Sequence, residues 1–296
     1  WTSGLKDVLW GMFGLAAVYC YVRHVTGDAP DRRAVWGQYA GGPVMALGAL
    51  GLVGAVTAWA VTWERPWVVV AVWSGIAGYL GATAFRSTGR WWLAGSLMLL
   101  LGVWSKPTAM VVPALAVVVH WLMLGADRRT VARAVWPWFA LVPLVIFWTK
   151  YAQPAGGVPN LDLPLRPLVV LDSMSFYLAK FAWPAHLTFD YGRTPPSILA
   201  SGQLWWTWLL PVTVAALVVW RSRRGERSTW TFVGAALAWA VVAASPVLGL
   251  KTFLFMYFST VADHYLYASM AGLGMAVAAV GARVAVHGEE ARDRVE

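Results

Sequence analysis

The sequence carries little charge and a single cysteine. Only 12% of its 296 residues are charged, whereas soluble domains carry about 25%. Because Cys20 is the only cysteine, the chain cannot form an internal disulfide or a cysteine metal site, and we expect Cys20 to pack among apolar residues. These shortages argue against a soluble domain and against a fold held by disulfides.

Apolar residues make up 59% of the chain, in runs of about 14 to 23 residues, and about 20 residues suffice to cross a bilayer. The 21 tryptophans often stand at the edges of these runs, as interfacial belts do. We predict an all-α polytopic transmembrane helical bundle, one transmembrane domain over residues 1–296, in which Gly272 permits close helix packing. The nine predicted spans are 8–22, 40–62, 66–85, 91–104, 107–125, 134–149, 204–220, 228–250 and 265–282.

The net charge of +9 does not indicate a nucleic-acid partner, because the basic residues form small clusters between apolar runs. With nine spans, most of them fall on one face as arginine-rich links, which predicts that this face is cytoplasmic. Residues 1–7 then lie outside, so we expect earlier spans to precede them. The richness in Ala, Gly, Val and Arg favours a bacterial cytoplasmic membrane, with the active face towards the periplasm or exterior.

The connection from residue 151 to 203 is the longest on the predicted outer face. Seven prolines break it into short pieces. Its apolar stretch 168–183 is interrupted by Asp172 and Lys180, which predicts a helix lying in the outer interface or re-entering the membrane rather than a span. Long loops of mixed chemistry often carry function.

Two lysines on this outer face are candidate phosphate contacts. Ser105-Lys106-Pro107-Thr108 separates two apolar runs, and Pro107 can begin the second helix. Free N–H groups and the Lys106 ammonium would then form a phosphate site; the alternative is a snorkelling lysine. Lys6 and Asp7 open the first span, where the alternative is a local ion pair.

The stretch KTFLFMYFSTVADHYLY, beginning at Lys251, puts Asp263, His264 and Tyr265 beside hydrocarbon. Asp263 could accept a proton, bind a divalent cation or orient Lys251, and a protonated His264 could contact phosphate. The alternative is a hydrogen-bonded cap on the last span. Two further candidates lie elsewhere on this face: Trp183 is typical of a membrane-edge anchor, and His186 could transfer protons or be structural.

Four stretches, in this order, resemble the membrane region of the GT-C glycosyltransferases. The nearest branch is that of tetratricopeptide-repeat O-mannosyltransferase-like proteins, related to dolichyl-phosphate-mannose protein mannosyltransferases. The stretches cover about a third of the chain, although the tetratricopeptide repeats of that branch are missing. They are WTSGLKDVLWGMFGLAAVYCYVRH, LGVWSKPTAMVVPALAVVVHWLMLG, FYLAKFAWPAHLTFDYG and PVLGL…VADHYLYASMAGLG.

The resemblance implies a mannose-like sugar carried on a polyprenyl phosphate and transferred with inversion to a hydroxyl of a protein or glycan acceptor. A base takes the acceptor proton, while positive groups stabilise the leaving phosphate. Asp263 would orient the site, and Asp7 is a second catalytic candidate. The implied substrate and phosphate contacts are Lys106, Lys251, His264, Lys6 and Tyr265.

The chain departs from that family at three places. The family's catalytic acids lie in a first outer loop that precedes all four of these stretches, so we expect the general base upstream of Trp1. The family has Arg where His264 stands, and histidine is fully charged only below a pKa of about 6.5. Residues 34–85 have the character of an insertion.

Two other functions stay open: a transporter of lipids or small molecules, and a non-catalytic membrane protein. A transporter favours ionisable residues in mid-span, and His120 is essentially alone there.

Overall fold

The computed structural model describes residues 2–26, 89–152, 161–188, 190–224 and 227–292, and these residues form helices and connecting turns without a β-strand. The predicted all-α class is therefore confirmed for this part of the chain. The predicted spans 40–62 and 66–85, and with them the insertion 34–85, lie outside the described residues.

Ten α-helices follow one another along the described residues, several of them extended by short 3₁₀ or π turns. A 3₁₀ turn at Pro107–Val111 leads into α3, and a π-helical segment at Val118–Met123 follows it. The helices are α1 Thr2–Thr26, α2 Arg90–Ser105, α3 Val112–Val117, α4 Arg128–Phe139, α5 Val142–Ala152, α6 Arg166–Ala182, α7 Pro195–Ala200, α8 Leu209–Arg223, α9 Arg227–Ala244 and α10 Tyr267–Arg292.

Within the described ranges, five helical segments are long and apolar enough to cross a membrane. Two further apolar helices, Trp91–Ser105 and Pro107–Met123, are shorter. These segments coincide with seven of the predicted spans and support a membrane-embedded protein; the total of nine spans remains a prediction. The five long segments are Leu5–Thr26, Arg128–Phe147, Gln203–Arg223, Thr229–Val247 and Asp263–Ala285.

The chain divides into two compact units, and the single transmembrane domain over residues 1–296 stays a prediction. The first contains Trp1–Val8, Val117–Asp127 and Ala155–Glu296, and the second contains Leu9–Ala116 and Arg128–Pro154. In the second unit, the indole N–H of buried Trp138 donates to Ser96 Oγ at 2.9 Å.

In the first unit, α9 and α10 pack backbone to backbone. A Cβ at Gly272 would lie 2.5 Å from the Ala236 carbonyl oxygen, so only glycine fits there. Two hydrogen bonds join the same helices, from Trp239 Nε1 to the Ala268 carbonyl and from Ser269 Oγ to the Ala240 carbonyl. The predicted close packing at Gly272 is confirmed.

Three segments fold together at one end of α8, α9 and α10, and we call residues 161–165, 183–206 and 249–266 the cap. Two small apolar cores, built around Tyr177 and Val169 of α6, hold the cap together. The predicted helix at 168–183 is present as α6, which forms the inner wall of these cores. The cap therefore supplies the surroundings of Asp263.

Candidate functional site

Polar residues from four segments of the first unit converge near the start of α10. Asp7 comes from α1, Tyr177 from α6, Tyr191 from the cap, and Asp263 and His264 from a 3₁₀ turn at Asp263–Leu266. Four of the predicted site residues, Asp7, Asp263, His264 and Tyr265, thus belong to one cluster.

Asp263 joins the last span to the cap. Its Oδ2 accepts a hydrogen bond from the Thr188 backbone N–H at 2.7 Å, and its Oδ1 accepts one from the Tyr191 hydroxyl at 2.8 Å. The N-cap of its own turn is Ala262, with no side-chain cap. The capping interpretation of Asp263 is therefore wrong. Its described partners also do not include Lys251, which is exposed.

His264 faces Asp7 across the cluster. The His264 Nε2 atom lies 3.8 Å from Asp7 Oδ2, with side chains 10% and 3% exposed. A carboxylate at this depth is costly unless an opposite charge or hydrogen bonds accompany it, and His264 would supply that charge when it is protonated. Neighbouring Lys6 is exposed whereas Asp7 is buried, so the two residues meet different surroundings.

Two tyrosines connect these groups. The Tyr177 hydroxyl accepts a hydrogen bond from the Ala262 N–H at 3.2 Å, directly before Asp263. Burial raises the pKa of Tyr177, and the nearby Asp263 charge raises it further. Tyr265 is buried, and its ring packs edge-on against Phe255 and His264. The cluster therefore presents neutral hydroxyls beside two carboxylates.

A single lysine fastens the loop that follows α6. Lys180 Nζ donates to the carbonyls of Ala185 and His186, and it lies 4.9 Å from the centre of the Tyr191 ring. The predicted loop residues Trp183 and His186 are both exposed, and His186 has a φ of 52°, a left-handed conformation that costs energy outside glycine. The loop is thus held from one side by Lys180 and from the other by Asp263.

An ion pair between Asp172 and Arg193 was not predicted from the sequence. Arg193 Nη2 lies 2.7 Å from Asp172 Oδ2, and the Asp172 side chain is fully buried. Arg193 Nη1 also donates to Gln203 Oε1 at 2.9 Å, and the Arg193 carbonyl accepts from the Thr260 N–H. Asp172, which interrupts an apolar stretch, was the one signal that could have revealed this pair.

An apolar cleft of about 440 Å³ lies between α6, α8, α9 and α10. Its walls are aliphatic, apart from Tyr177 and Ser269 at the α6 and α10 sides. Leu266, which also lines it, belongs to the same 3₁₀ turn as Asp263. The cleft therefore borders the polar cluster.

Lys106 lies in the second unit. It stands in extended conformation between two helices, and Pro107 opens the next one, as predicted. Among the described residues, no group of three or more His, Cys, Asp or Glu side chains could hold a metal ion; the divalent cation stays a prediction.

No model of a known family, no curated protein and no solved structure matches this chain.

Proposed function

We propose that this chain belongs to a membrane-embedded glycosyltransferase that takes a sugar from a polyprenyl-phosphate carrier. The observation that carries the proposal is the junction of an apolar cleft with a buried polar cluster, through Tyr177 and Leu266. A ligand that fits both has a long apolar chain and a polar head. A lipid-linked sugar has this form, and three of the four motifs that resemble GT-C glycosyltransferases contribute the residues of the cluster.

The cleft contributes more to the position of such a ligand than to its binding free energy. A lipid chain is already in hydrocarbon before it binds, so burial in the cleft adds packing contacts but little hydrophobic free energy. Selectivity therefore falls to the polar cluster. Carboxylates and tyrosine hydroxyls, as at Asp263 and Tyr191, suit the hydroxyl groups of a sugar.

In the proposed reaction, a carboxylate base takes the proton of the acceptor hydroxyl. The acceptor oxygen then forms a bond to the anomeric carbon, while the bond from that carbon to the phosphate oxygen breaks on the opposite face. The polyprenyl phosphate leaves with the bonding electrons, and the configuration inverts. Lys251 and a protonated His264 are proposed to stabilise this phosphate charge, and Lys6 and Tyr265 to assist in binding. Lys106, in the second unit, is proposed as a further phosphate contact.

The roles of Asp263 and Lys106 are tested with the full-length protein in liposomes that contain a radiolabelled polyprenyl-phosphate mannose. Lys106→Ala and Asp263→Asn should each abolish release of polyprenyl phosphate and labelling of the acceptor. Asp162→Asn is the matched control, because Asp162 is exposed on the cap and its side chain caps nothing. Full transfer by both variants would refute the assignment.

A second variant separates direct action of Asp263 from its hold on the cap. Tyr191→Phe removes one of the two hydrogen bonds to Asp263 and keeps the carboxylate. If Asp263 acts on the substrate, Tyr191→Phe retains most of the transfer that Asp263→Asn loses. Equal losses would show that Asp263 acts only by holding the cap.

The cleft is tested with a bulky side chain. Ala215→Phe fills it, whereas Ala216→Phe changes an exposed neighbour that does not line it. We expect Ala215→Phe to reduce photocrosslinking of a polyprenyl-phosphate probe and Ala216→Phe to leave it unchanged. The same cleft would suit a carrier; probe binding and transbilayer movement of the labelled lipid without sugar transfer would favour that function.

A further inference from the structure

The cap exposes large apolar side chains outside the membrane-spanning helices. Six of them are more than half exposed although they lie in turns and connections, where polar residues are usual in water. They are Leu163 72%, Trp183 76%, Leu187 58%, Leu250 62%, Leu254 63% and Phe258 60%.

These side chains belong to one structure rather than to separate loops. Residues Leu161, Val169, Ile198, Leu204 and Met256 form a common core. The exposed Leu163 follows Leu161 by two residues, and the exposed Leu254 precedes Met256 by two residues, so each lies on the outside of that core. A second core joins Tyr177 to Val261 and Leu266, which ties the loop after α6 to the same body.

The path of the chain places this body at one end of three spans. The segment Gln203–Arg223 begins in the cap, the segment Thr229–Val247 ends where the cap resumes, and the segment Asp263–Ala285 begins in the cap. Consecutive spans alternate in direction, so all three ends lie at the same membrane surface. The arginines at 221, 223 and 224 mark the other end of the first of these spans.

At the membrane surface, lipid is available to cover the exposed apolar side chains of the cap. Tryptophan is enriched at the boundary between hydrocarbon and water because its ring is apolar and its N–H is polar. The cap also carries exposed charged groups, such as Asp162, Asp190 and Lys251, which suits a layer that is apolar on one side and wet on the other.

We propose that the cap is a lipid-docking surface, whose exposed tryptophan, leucine and phenylalanine side chains enter the interfacial layer of the leaflet at this end of the spans. α6 buries Asp172, Ser173 and Tyr177 within the unit, and its place in the outer interface stays a prediction. The docking falls to the turns around it. This proposal holds whether or not the protein transfers sugar.

The test uses spin labels in the intact protein in lipid nanodiscs. The only cysteine, Cys20, is buried and is replaced in a Cys20→Ala background. Labels are then placed by Trp183→Cys, Leu187→Cys and Phe258→Cys. Collision rates with oxygen, which concentrates in lipid, and with a water-soluble nickel chelate are compared at each position.

Two reference positions lie on one helix. Val212→Cys reports lipid, because Val212 is exposed on the candidate span, and Arg224→Cys reports water at its far end. We expect the ratio of oxygen to nickel collisions at the cap positions to be severalfold above that at Arg224→Cys. Ratios equal to that of Arg224→Cys would overturn the proposal. Protection from both reagents, with spin–spin broadening, would also overturn it and show that a second copy covers the cap.

Discussion

The Asp263 carboxylate holds the Tyr191 hydroxyl at 2.8 Å, although 72 residues separate them. The bond links the first turn of the last span to the loop that follows α6. Because Asp263 also accepts the Thr188 N–H, this carboxylate fixes both the backbone and a side chain of the loop. The geometry of the polar cluster therefore depends on it.

Replacing Asp263 by asparagine should loosen the loop. Asn keeps one acceptor oxygen but substitutes an NH₂ group for the other, so one of the two hydrogen bonds is lost or reversed. We expect faster amide hydrogen exchange at residues 183–191 in Asp263→Asn, measured by mass spectrometry in detergent. Asp162→Asn should exchange like the wild type; unchanged exchange in Asp263→Asn would contradict the proposed hold on the loop.

Gly272→Ala should destabilise the pair of helices α9 and α10. The added methyl group would meet the Ala236 carbonyl oxygen at 2.5 Å and the Ala240 nitrogen at 2.8 Å, and relieving such overpacking typically costs about 1–3 kcal/mol. We expect a lower thermal unfolding midpoint. Gly274→Ala is the control in the same helix, since nothing lies within 4 Å of its Cβ. Equal midpoints for the two variants would show that α9 and α10 can move apart at this place without loss of stability.

The single substitution Arg193→Met should destabilise the cap more than the simultaneous replacement of Arg193 and Asp172. It leaves the fully buried carboxylate of Asp172 without its cation, which costs about 3–5 kcal/mol for buried pairs. The double variant Asp172→Leu with Arg193→Met buries no charge and should recover part of the loss. Denaturant unfolding in detergent measures both. A double variant as unstable as Arg193→Met would indicate that shape, and not charge, decides stability here.

The loop should also loosen at alkaline pH. Burial and the hydrogen bond to Asp263 raise the pKa of Tyr191 to about 12, from the usual value of about 10. Because the folded pKa lies above the unfolded one, the neutral hydroxyl stabilises the fold below pH of about 10, and this contribution disappears as the pH rises towards 12. A spin label at Leu187→Cys should become mobile over this range.

The control for this titration is Tyr191→Phe, which has no hydroxyl to ionise. Its label should be mobile at neutral pH and insensitive to alkali. A transition of equal size in Tyr191→Phe would assign the effect to another group, such as Tyr177, whose pKa burial also raises.

The helices could be predicted because apolar length and proline position are local properties. Pro107 begins a helix as expected because its missing N–H costs nothing at that place. The partners of Asp263 could not be predicted, since Thr188 and Tyr191 are reached only by the folding of the cap. The same holds for Asp172: the sequence shows a carboxylate in an apolar stretch, but Arg193 is one of many cations that could meet it.

The contact between Asp7 and His264 also has a consequence for biosynthesis. About 250 residues separate the two, and at 5–20 residues per second the ribosome needs about 10–50 s to produce them. Throughout that time the nascent helix α1 carries the Asp7 carboxylate without His264. Biosynthesis can therefore complete this contact only after the turn at Asp263–Leu266 has been made.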